Sequence, residues 1–179
     1  MRIVGGKYKG RIFTPGKSFK ARPTTDMAKE SLFNILQNSI DFEDIRALDL
    51  FAGTGSISYE LASHGCTDIT TVEINADHIQ FIREVLEKLG EKNVRLVKTN
   101  VFVFATRIRE QFDLIFADPP YDHPKFGEVA DLIFKNNLLK PGGTFILEHS
   151  GQFDYSFHPA FRELRRYGSV HFSIFKTSE

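Results

Sequence analysis

Residues 47–57 read ALDLFAGTGSI, and this stretch decides the fold of the chain. Its apolar run through Leu50 predicts a buried strand, and its glycines predict a sharp turn into a helix from about Ser56 to His64. Glycine leaves room where the backbone turns and a ligand approaches closely. Because the first turn of a helix has unpaired N–H groups, the stretch indicates a ligand site above the turn.

The ligand that this turn favours is a nucleoside without a pyrophosphate. The third glycine of the dinucleotide fingerprint is missing, since Ile57 and Ser58 occupy that part of the turn. Asp49 stands just before the turn, and Glu73 ends the next apolar run at the spacing of a carboxylate that holds two ribose hydroxyls. Acids around a nucleoside suit the cationic S-adenosylmethionine better than NAD. Taken alone, the stretch fits an ordinary strand–turn–helix equally well.

Length and composition bound the class of protein. A chain of 179 residues suffices for one well-buried domain with a small extension. No run reaches the length of a membrane span, and no apolar signal core opens the chain. The single cysteine, Cys66, offers neither a disulfide nor a metal-binding spacing. We therefore expect a cytoplasmic protein that binds no metal and no membrane.

The net charge of zero conceals a basic arm at the N-terminus. Residues 1–22 contain seven lysines and arginines and no acid, which predicts a polyanion partner. A solvated tail is the alternative. Some apolar residues of the arm alternate with glycines and favour a short hairpin instead: Ile3, Val4, Ile12 and Phe13.

Beyond the arm, the hydrophobic pattern predicts helices and strands in alternation. Thr25 or Asp26 caps a helix that runs to about Asn38. The predicted strands cover about 46–50, 68–74, 94–99, 112–117 and 144–148. The later predicted helices cover about 76–89 and 126–136, with a short one after Asn100. An antiparallel hairpin is predicted over 161–166 and 169–176. The fold class is therefore α/β, with a doubly wound, mostly parallel seven-stranded sheet and ligands at the carboxyl ends of its strands.

The fourth predicted strand ends in Asp118-Pro119-Pro120-Tyr121 at that edge. The prolines fix the backbone and remove two N–H donors, so nearby carbonyls stay available as acceptors. A carboxylate, a carbonyl and an aromatic ring match an exocyclic amino group on a nucleobase, which needs two acceptors and a stacking partner. Most Asp-Pro pairs are only stiff turns. The position beside the glycine turn favours the functional interpretation, because there a second ligand would meet the first.

Several motifs together resemble one family over nearly the whole chain. The chain is similar to the bacterial small-subunit ribosomal RNA guanine-N2 methyltransferases of the RsmD type, which have the class I S-adenosylmethionine-dependent fold. The shared stretches are MRIVGGKYKGR at 1–11, RPTTD at 22–26, SLFNIL at 31–36, LDLFAGTGS at 48–56 and DPPY at 118–121. The glycine turn occurs in many methyltransferases, whereas the arm and the Arg-Pro-Thr helix together are far more specific.

The resemblance implies transfer of a methyl group from S-adenosylmethionine to the exocyclic N2 amino group of a guanine in 16S ribosomal RNA. The implied partner is this RNA or an assembling small ribosomal subunit, bound by a monomer. Residues 1–40 would be the arm and a packing helix, and residues 41–179 the methyltransferase domain. The implied catalytic residues are Asp118, Pro119, Pro120 and Tyr121. The implied cofactor-binding residues are Asp49, Phe51, Gly53, Gly55, Glu73, Ile74 and Asn100. The expected RNA contacts are Lys7, Lys9, Arg11 and Arg22.

In the implied mechanism, Asp118 and the Pro119 carbonyl accept both N–H bonds of the guanine amino group, and Tyr121 stacks on the base. The proton leaves either to Asp118 or to water. One position departs from the family, which usually has aspartate where this chain has Asn100. Since an amide oxygen also accepts from an adenine amino group, we expect weaker charge assistance rather than lost binding.

Three other functions stay open. DNA adenine methyltransferases share the tetrapeptide, but they usually carry a separate DNA-reading domain, for which this chain has no room. Glutamine-modifying protein methyltransferases usually have asparagine at the position of Asp118. A non-catalytic RNA-binding module with a degenerate fold is disfavoured, because the cofactor carboxylates and the Asp118 tetrapeptide are intact.

Overall fold

The computed structural model describes residues 1–16, 19 and 24–178. Its strands are β1 (Arg46–Leu50), β2 (Asp68–Glu73), β3 (Val94–Lys98), β4 (Phe112–Ala117), β5 (Leu139–His149), β6 (Phe161–Tyr167) and β7 (Val170–Lys176). Its α-helices are α1 (Asp26–Leu36), α2 (Ser56–Ser63), α3 (Ala76–Leu89), α4 (Val101–Arg107) and α5 (Val129–Lys135). Short 3-10 helices cover Gly6–Tyr8, Phe42–Asp44 and Phe126–Glu128. Within these ranges, no helix combines the length and the apolarity needed to cross a membrane.

The strands form one seven-stranded sheet in the order β3-β2-β1-β4-β5-β7-β6. The first five strands in the chain pair in parallel, and β7 is antiparallel to both β5 and β6. The predicted α/β class, with a doubly wound sheet and an antiparallel C-terminal hairpin, is confirmed. The chain reverses direction across the sheet at β1, so the loops after β1 and β4 diverge and leave a crevice at the carboxyl ends.

Helices cover both faces of the sheet. Leu32 of α1 and Phe172 of β7 belong to one buried cluster, together with residues of α2. Phe104 of α4 and Phe145 of β5 belong to the cluster on the other face, together with residues of α5. A third cluster joins α3 to the N-terminal arm through Ile3. The arm is therefore packed on the sheet layer rather than solvated along its whole length.

Two element boundaries differ from the predictions. Strand β5 begins at Leu139 rather than at Thr144, because the Pro141-Gly142-Gly143 segment is a bulge inside the strand. The C-terminal turn lies at Gly168 and Ser169, with Gly168 at φ +60°, so Tyr167 belongs to β6. A left-handed glycine makes this tight turn without steric cost.

The predicted short hairpin in the arm is present. The backbone N–H of Ile3 donates to the Arg11 carbonyl at 2.9 Å, and that of Phe13 donates to the Met1 carbonyl at 3.0 Å. Among residues 1–16, the bridge Arg2↔Ile12 closes the hairpin, and the 3-10 turn at Gly6–Tyr8 forms its tip. The backbone N–H of Val4 donates to the Glu60 carboxylate at 2.7 Å instead of across the arm. The arm thus combines a short antiparallel ladder with contacts to α2.

A buried ion pair holds the arm against α1 and α2. Lys29 Nζ lies 3.0 Å from Glu60 Oε1, and the two side chains are 1% and 0% exposed. Lys29 also donates to the Arg2 carbonyl at 2.6 Å and to the Ser56 hydroxyl at 2.9 Å. A charge is stable in an interior only when it is paired and hydrogen-bonded, so this network determines where the arm lies.

The tip of the arm lies at the end of α3 that is remote from the carboxyl ends of the strands. Lys7 Nζ is 3.0 Å from Glu91 Oε2, just beyond the C-terminus of α3. Arg11 contacts the Lys88 carbonyl at 3.5 Å. Helix α3 starts after β2 and has 14 residues, which span about 21 Å. The cations at the tip are therefore roughly one helix length away from the ligand-binding edge.

The ion pair predicts a large effect of Lys29→Met on stability. This substitution keeps most of the side-chain volume but leaves the Glu60 carboxylate buried without its cation. We expect the free energy of unfolding to fall by about 3–5 kcal/mol. Urea unfolding followed by circular dichroism measures it. Lys135→Ala is the control, because it breaks the exposed Lys135–Asp131 pair and should change stability by less than about 0.5 kcal/mol. Equal effects of the two substitutions would contradict an anchoring role for Lys29.

Candidate active site

A cavity of about 700 Å³ opens at the carboxyl edge of the sheet. It lies over the ends of β1, β2, β4 and β5, where the topology places the crevice. The predicted residues that line it are Asp49, Phe51, Gly53, Glu73, Ile74, Asn100, Asp118, Pro119, Pro120 and Tyr121. The structure thus brings the predicted catalytic residues and most of the predicted cofactor-binding residues to one site.

Gly55 is a predicted site residue that does not line the cavity. It begins α2 with φ +79°, and a Cβ added there would lie 2.7 Å from Tyr59 Oη and 2.9 Å from Ile82 Cγ1. Tyr59 belongs to α2 itself, and Ile82 belongs to α3. Gly55 therefore allows α2 and α3 to approach the turn closely, whereas Gly53, at φ +55°, lies in the cavity wall.

The turn after β1 stores backbone strain. Phe51 has φ +57°, a left-handed conformation that is costly for a bulky residue, by about 1–3 kcal/mol. Its ring makes edge contacts with Phe102 and His123, whose rings stack on each other at 5.4 Å. These three rings hold the strained turn in place and form an apolar wall beside the cavity.

Glu73 is a buried carboxylate whose position is fixed by two backbone donors. Its Oε2 accepts from the Gly53 N–H at 2.8 Å, and its Oε1 accepts from the Asn75 N–H at 2.8 Å. An ionised carboxylate has about four acceptor positions, so two remain for ligand hydroxyls. Beside it, Ile74 is 61% exposed and lines the cavity. An acceptor pair next to an exposed apolar side chain suits a ribose joined to a flat base.

Asn100 has a role that the sequence did not indicate. Its Oδ1 caps α4 by accepting from the N–H groups of Phe102 at 2.9 Å and Val103 at 3.3 Å. Both lone pairs of that oxygen are therefore used by the helix. The amide nitrogen, which can only donate, is the remaining polar group of this side chain at the cavity. It matches a ring nitrogen better than an amino group.

Asp49 is a buried acid below the cavity. It is 1% exposed, and its Oδ2 accepts from both the N–H and the hydroxyl of Ser58, at 3.1 and 2.6 Å. Burial raises its pKa to about 7, and the nearby charge of Glu73 adds to the rise. Asp49 therefore titrates close to neutral pH.

The Asp118 tetrapeptide extends the β4 strand into the cavity. The Asp118 N–H lies 3.4 Å from the Leu50 carbonyl and continues the pairing of β4 with β1. The Pro120 carbonyl accepts from the His123 N–H at 2.8 Å, which closes a turn. No backbone N–H of residues 1–16, 19 and 24–178 donates to the Pro119 carbonyl. That carbonyl and the Asp118 carboxylate are the acceptors that the tetrapeptide offers to a ligand, and the Tyr121 ring lines the same cavity.

Burial and neighbouring acids set the charge of Asp118. Asp118 is half-buried, and it lines the cavity. Burial raises the pKa of Asp118 well above its ordinary value, and the charges of Glu148 and Asp49 raise it further. This group therefore keeps its proton to a higher pH than an exposed carboxylate does.

Lys7, Lys9 and Arg11, three of the four expected RNA contacts, do not line the cavity. Lys7 and Arg11 contact the far end of α3, and the exposed Lys9 lies between them in the chain. Arg22, the fourth expected RNA contact, lies outside the described residues. Part of the arm's charge is thus used in holding its tip against the domain.

Several residues that line the cavity were not predicted as site residues, and Glu148 and Thr24 are two of them. Glu148 is the next-to-last residue of β5, and Thr24 precedes α1. The Thr24 hydroxyl donates to the Glu148 carboxylate at 2.6 Å. Glu148 has the same signal as Glu73 and Asp118, an acid directly after an apolar run, and could have been found by that rule. Thr24 carries no such signal. In the part of the chain that the structure describes, His, Cys, Asp and Glu do not form a group of three that could hold a metal ion.

Comparisons with known proteins agree with this architecture. Ribosomal RNA small subunit methyltransferase D of Escherichia coli K12 is 31% identical over 148 residues, which cover 83% of this chain and 74% of that protein. A putative rRNA methyltransferase of Bacillus subtilis, YlbH, is 33% identical over 153 residues, which cover 83% and 82%. The structure of the putative methyltransferase yhhF from Escherichia coli has a TM-score of 0.85 at 27% identity, over 99% of this chain and 98% of that one.

The strand order and the cavity define a class of protein, the class I S-adenosylmethionine-dependent methyltransferases. A family model described as Conserved hypothetical protein 95 matches residues 1–176. The chain belongs to this family, that of the RsmD-type ribosomal RNA methyltransferases. The resemblance seen in the sequence motifs is confirmed.

The raised pKa of Asp49 predicts how stability depends on pH. Between an ordinary pKa of 3.8 in the unfolded chain and about 7 in the folded protein, the folded state binds the extra proton. Stability should therefore fall as pH rises through this window. Asp49→Asn still accepts from Ser58 but does not titrate, so unfolding free energies should lose up to about 4 kcal/mol of this pH dependence. Urea unfolding at pH 4 to 8 measures it, with the exposed Asp41→Asn as control. A slope unchanged by Asp49→Asn would contradict the prediction.

Proposed function

We propose that this protein transfers a methyl group from S-adenosylmethionine to the exocyclic N2 amino group of a guanine in small-subunit ribosomal RNA. The observation that carries the proposal is the placement of the Asp118 tetrapeptide across one cavity from Glu73 and Ile74. One end of the cavity offers acceptors for an amino group, and the other offers a nucleoside site. Relatives named as small-subunit ribosomal RNA methyltransferases support the substrate class.

The residues at the nucleoside end fit the cofactor. Glu73 would accept from both ribose hydroxyls, and its backbone donors keep the carboxylate in place. Ile74 would pack on the adenine ring, and the Asn100 amide nitrogen would donate to a ring nitrogen. Gly53 and the strained Phe51 would shape the wall against which the amino-acid part lies. Asp49 stabilises this wall from below through Ser58.

The residues at the other end fit an extruded guanine. Bound S-adenosylmethionine would supply an electrophilic methyl group on a sulfonium sulfur. Asp118 and the Pro119 carbonyl would each accept one N–H bond of the amino group, which turns the nitrogen lone pair toward the neighbouring ligand. Tyr121 would stack on the base, as aromatic side chains do on flipped nucleotides. Holding two reactants in this alignment can lower a barrier by roughly 7–11 kcal/mol.

The reacting amino group can lose its proton either to Asp118 or to water. Asp118 has a pKa raised by burial and by Glu148, so it would accept a proton more readily than an ordinary carboxylate. Release to water is the alternative. Ionised Asp118 accepts the N–H bond more strongly than the protonated group does, and only the ionised group can take the proton.

The arm is proposed to contact RNA away from the reacting base. Lys9 and Arg11 lie near the tip, roughly one length of α3 from the cavity edge. A folded RNA is large enough to contact both places, and such phosphate contacts weaken as salt rises. Residues 1–40 would then act as an RNA-binding extension of the methyltransferase domain at 41–179.

Mass spectrometry of nucleosides tests the proposed function directly. Small-subunit RNA from cells lacking this protein should gain one methyl group per molecule when it is incubated with the protein and S-adenosylmethionine. Nuclease mapping should place the added mass on N2 of one guanine, either in free RNA or in an assembling particle. Methylation of adenine N6 instead would favour the alternative function, and an unmodified RNA in both forms would contradict the proposal.

Two variants separate catalysis from cofactor binding. Asp118→Asn should lower kcat/KM by about 10²–10⁴-fold, yet keep the rise in melting temperature that S-adenosylhomocysteine causes. Glu73→Gln should lose most of that rise, because a ribose hydroxyl would face an amide donor. Glu87→Gln, on the exposed side of α3, is the control for both.

The pH dependence gives a second readout for Asp118. Below its pKa, the carboxyl group is protonated, so it accepts an N–H bond only as a weaker, uncharged acceptor and cannot take the amino proton. In the wild type, kcat/KM should therefore rise with pH. The midpoint of this rise should lie above the ordinary pKa of a carboxyl group, since burial and Glu148 raise the pKa of Asp118. Asp118→Asn should lack this rise. If Asp118→Asn has near-normal turnover, the proposed mechanism is overturned, whereas the proposed binding of S-adenosylmethionine is not affected.

A further inference from the structure

His78 is a residue of the cavity wall to which the proposed function gives no role. It lies in the first turn of α3, and it lines the cavity together with Glu73. Its Nδ1 atom is buried and has no hydrogen-bond partner within the described part of the chain. Two other buried atoms share this state, His64 Nε2 and Tyr155 Oη, but neither residue lines the cavity. Because an unpaired buried polar atom costs free energy, His78 Nδ1 is a candidate contact for a ligand.

Glu73 faces this nitrogen without bonding to it. His78 Nδ1 lies 3.7 Å from Glu73 Oε2, which is longer than a hydrogen bond. The carboxylate charge favours a hydrogen on Nδ1, because a lone pair directed at a carboxylate is repelled. One hydroxyl oxygen can lie beside both atoms, since hydrogen bonds of about 2.7–3.0 Å to each of them span that gap. The two side chains thus offer one acceptor and one donor to a single hydroxyl group.

Aromatic packing fixes the orientation of the His78 ring. The Phe19 ring stacks on it, with ring centres 4.6 Å apart and 15° between the planes. Phe19 also makes a T-shaped contact with Phe81 of α3, at 5.2 Å between the ring centres. The His78 side chain is only 17% exposed. The imidazole is therefore held with its Nδ1 edge toward Glu73, while Phe19 covers one of its faces.

A ribose in this end of the cavity needs a donor as well as an acceptor. Each ribose hydroxyl has one hydrogen to donate and lone pairs that accept. An ionised Glu73 accepts such hydrogens but has none to give. The N–H groups of Gly53 and Asn75 already donate to Glu73, each at 2.8 Å. His78 Nδ1–H is a donor beside Glu73 that remains for a ribose oxygen.

We propose that His78 Nδ1–H donates to one ribose hydroxyl of S-adenosylmethionine, the same hydroxyl that donates to Glu73 Oε2. The inference rests on the cofactor part of the proposed function. His78 is then a cofactor-binding residue, and together with Glu73 it recognises both hydrogen-bonding roles of that hydroxyl. A nucleoside that lacks the hydroxyl leaves both side chains without a partner, so the site selects a complete ribose.

Calorimetric titration of the full chain with S-adenosylhomocysteine tests this contact. His78→Phe keeps an aromatic ring for Phe19 to stack on but removes the donor. The Kd should therefore rise by about 5–50-fold, since a buried ribose oxygen loses its partner. Phe81→Leu is the matched control. It disturbs the packing of Phe19 on α3 but leaves His78 and Glu73 intact, so the Kd should stay close to that of the wild type.

Two ligand analogues separate a hydroxyl contact from an effect of packing. They are S-adenosylhomocysteine without the 2′-hydroxyl and S-adenosylhomocysteine without the 3′-hydroxyl, each titrated into the wild type and into His78→Phe. For the analogue that lacks the contacted hydroxyl, the two proteins should have similar Kd values, because the donor has no oxygen to meet. For the other analogue, the full fold-difference between the two proteins should remain.

Each outcome of these titrations bears on one proposal. The contact is overturned if His78→Phe binds S-adenosylhomocysteine as tightly as the wild type does, or if Phe81→Leu weakens binding equally. It is also overturned if the fold-difference persists for both analogues, because the effect then does not depend on a hydroxyl. His78→Leu takes the place of His78→Phe if the latter does not fold, with the same criteria. If the wild type itself binds no S-adenosylhomocysteine, the cofactor part of the proposed function fails.

Discussion

The level pairing of four parallel strands is the constraint on which the site depends. Leu50 pairs with Val72 on one side and with Ala117 on the other, and Ala117 pairs with Leu147. The residue that follows each of them therefore arrives at the same edge of the sheet. A slip of one residue in any strand would turn its side chains to the other face. Backbone hydrogen bonds far below the cavity thus decide which functional groups face each other in it.

The cavity brings together buried acids that lower the stability of the folded protein. Burial and the charges of neighbouring acids raise the pKa values of Asp49 and Asp118, and Glu148 stands beside Asp118 on the next strand. Such groups destabilise a fold unless donors or cations face them. A ligand that offers N–H bonds or positive charge relieves this cost. Sites of this kind commonly exchange some stability for affinity, which is consistent with the strained backbone at Phe51 in the same wall.

Features that depend on local pattern could be predicted from the sequence, whereas features that depend on distant partners could not. Strand β4 and helix α3 have the predicted bounds, because an apolar run and a 3.6-residue period are local signals. Glu73 and Asp118 were placed correctly at the edge, since an acid after a buried strand has to lie there. Lys29, in contrast, resembles any lysine of an amphipathic helix until Glu60 is folded against it. For Asn100 the residue type indicated a polar contact, but only the helix cap shows which atom remains for a ligand.

The two ends of the cavity differ in how much of the chain has to be folded before they exist. The Gly53–Glu73 hydrogen bond joins residues 20 apart in the sequence, whereas the Thr24–Glu148 bond joins residues 124 apart. Contacts between distant segments close large loops and form late. A chain emerging from synthesis can therefore shape its nucleoside-binding end from β1 and β2 while β5 is still absent. The end that carries Asp118 and Glu148 appears only when the sheet is nearly complete, so an incompletely synthesised chain lacks the surface that would engage RNA.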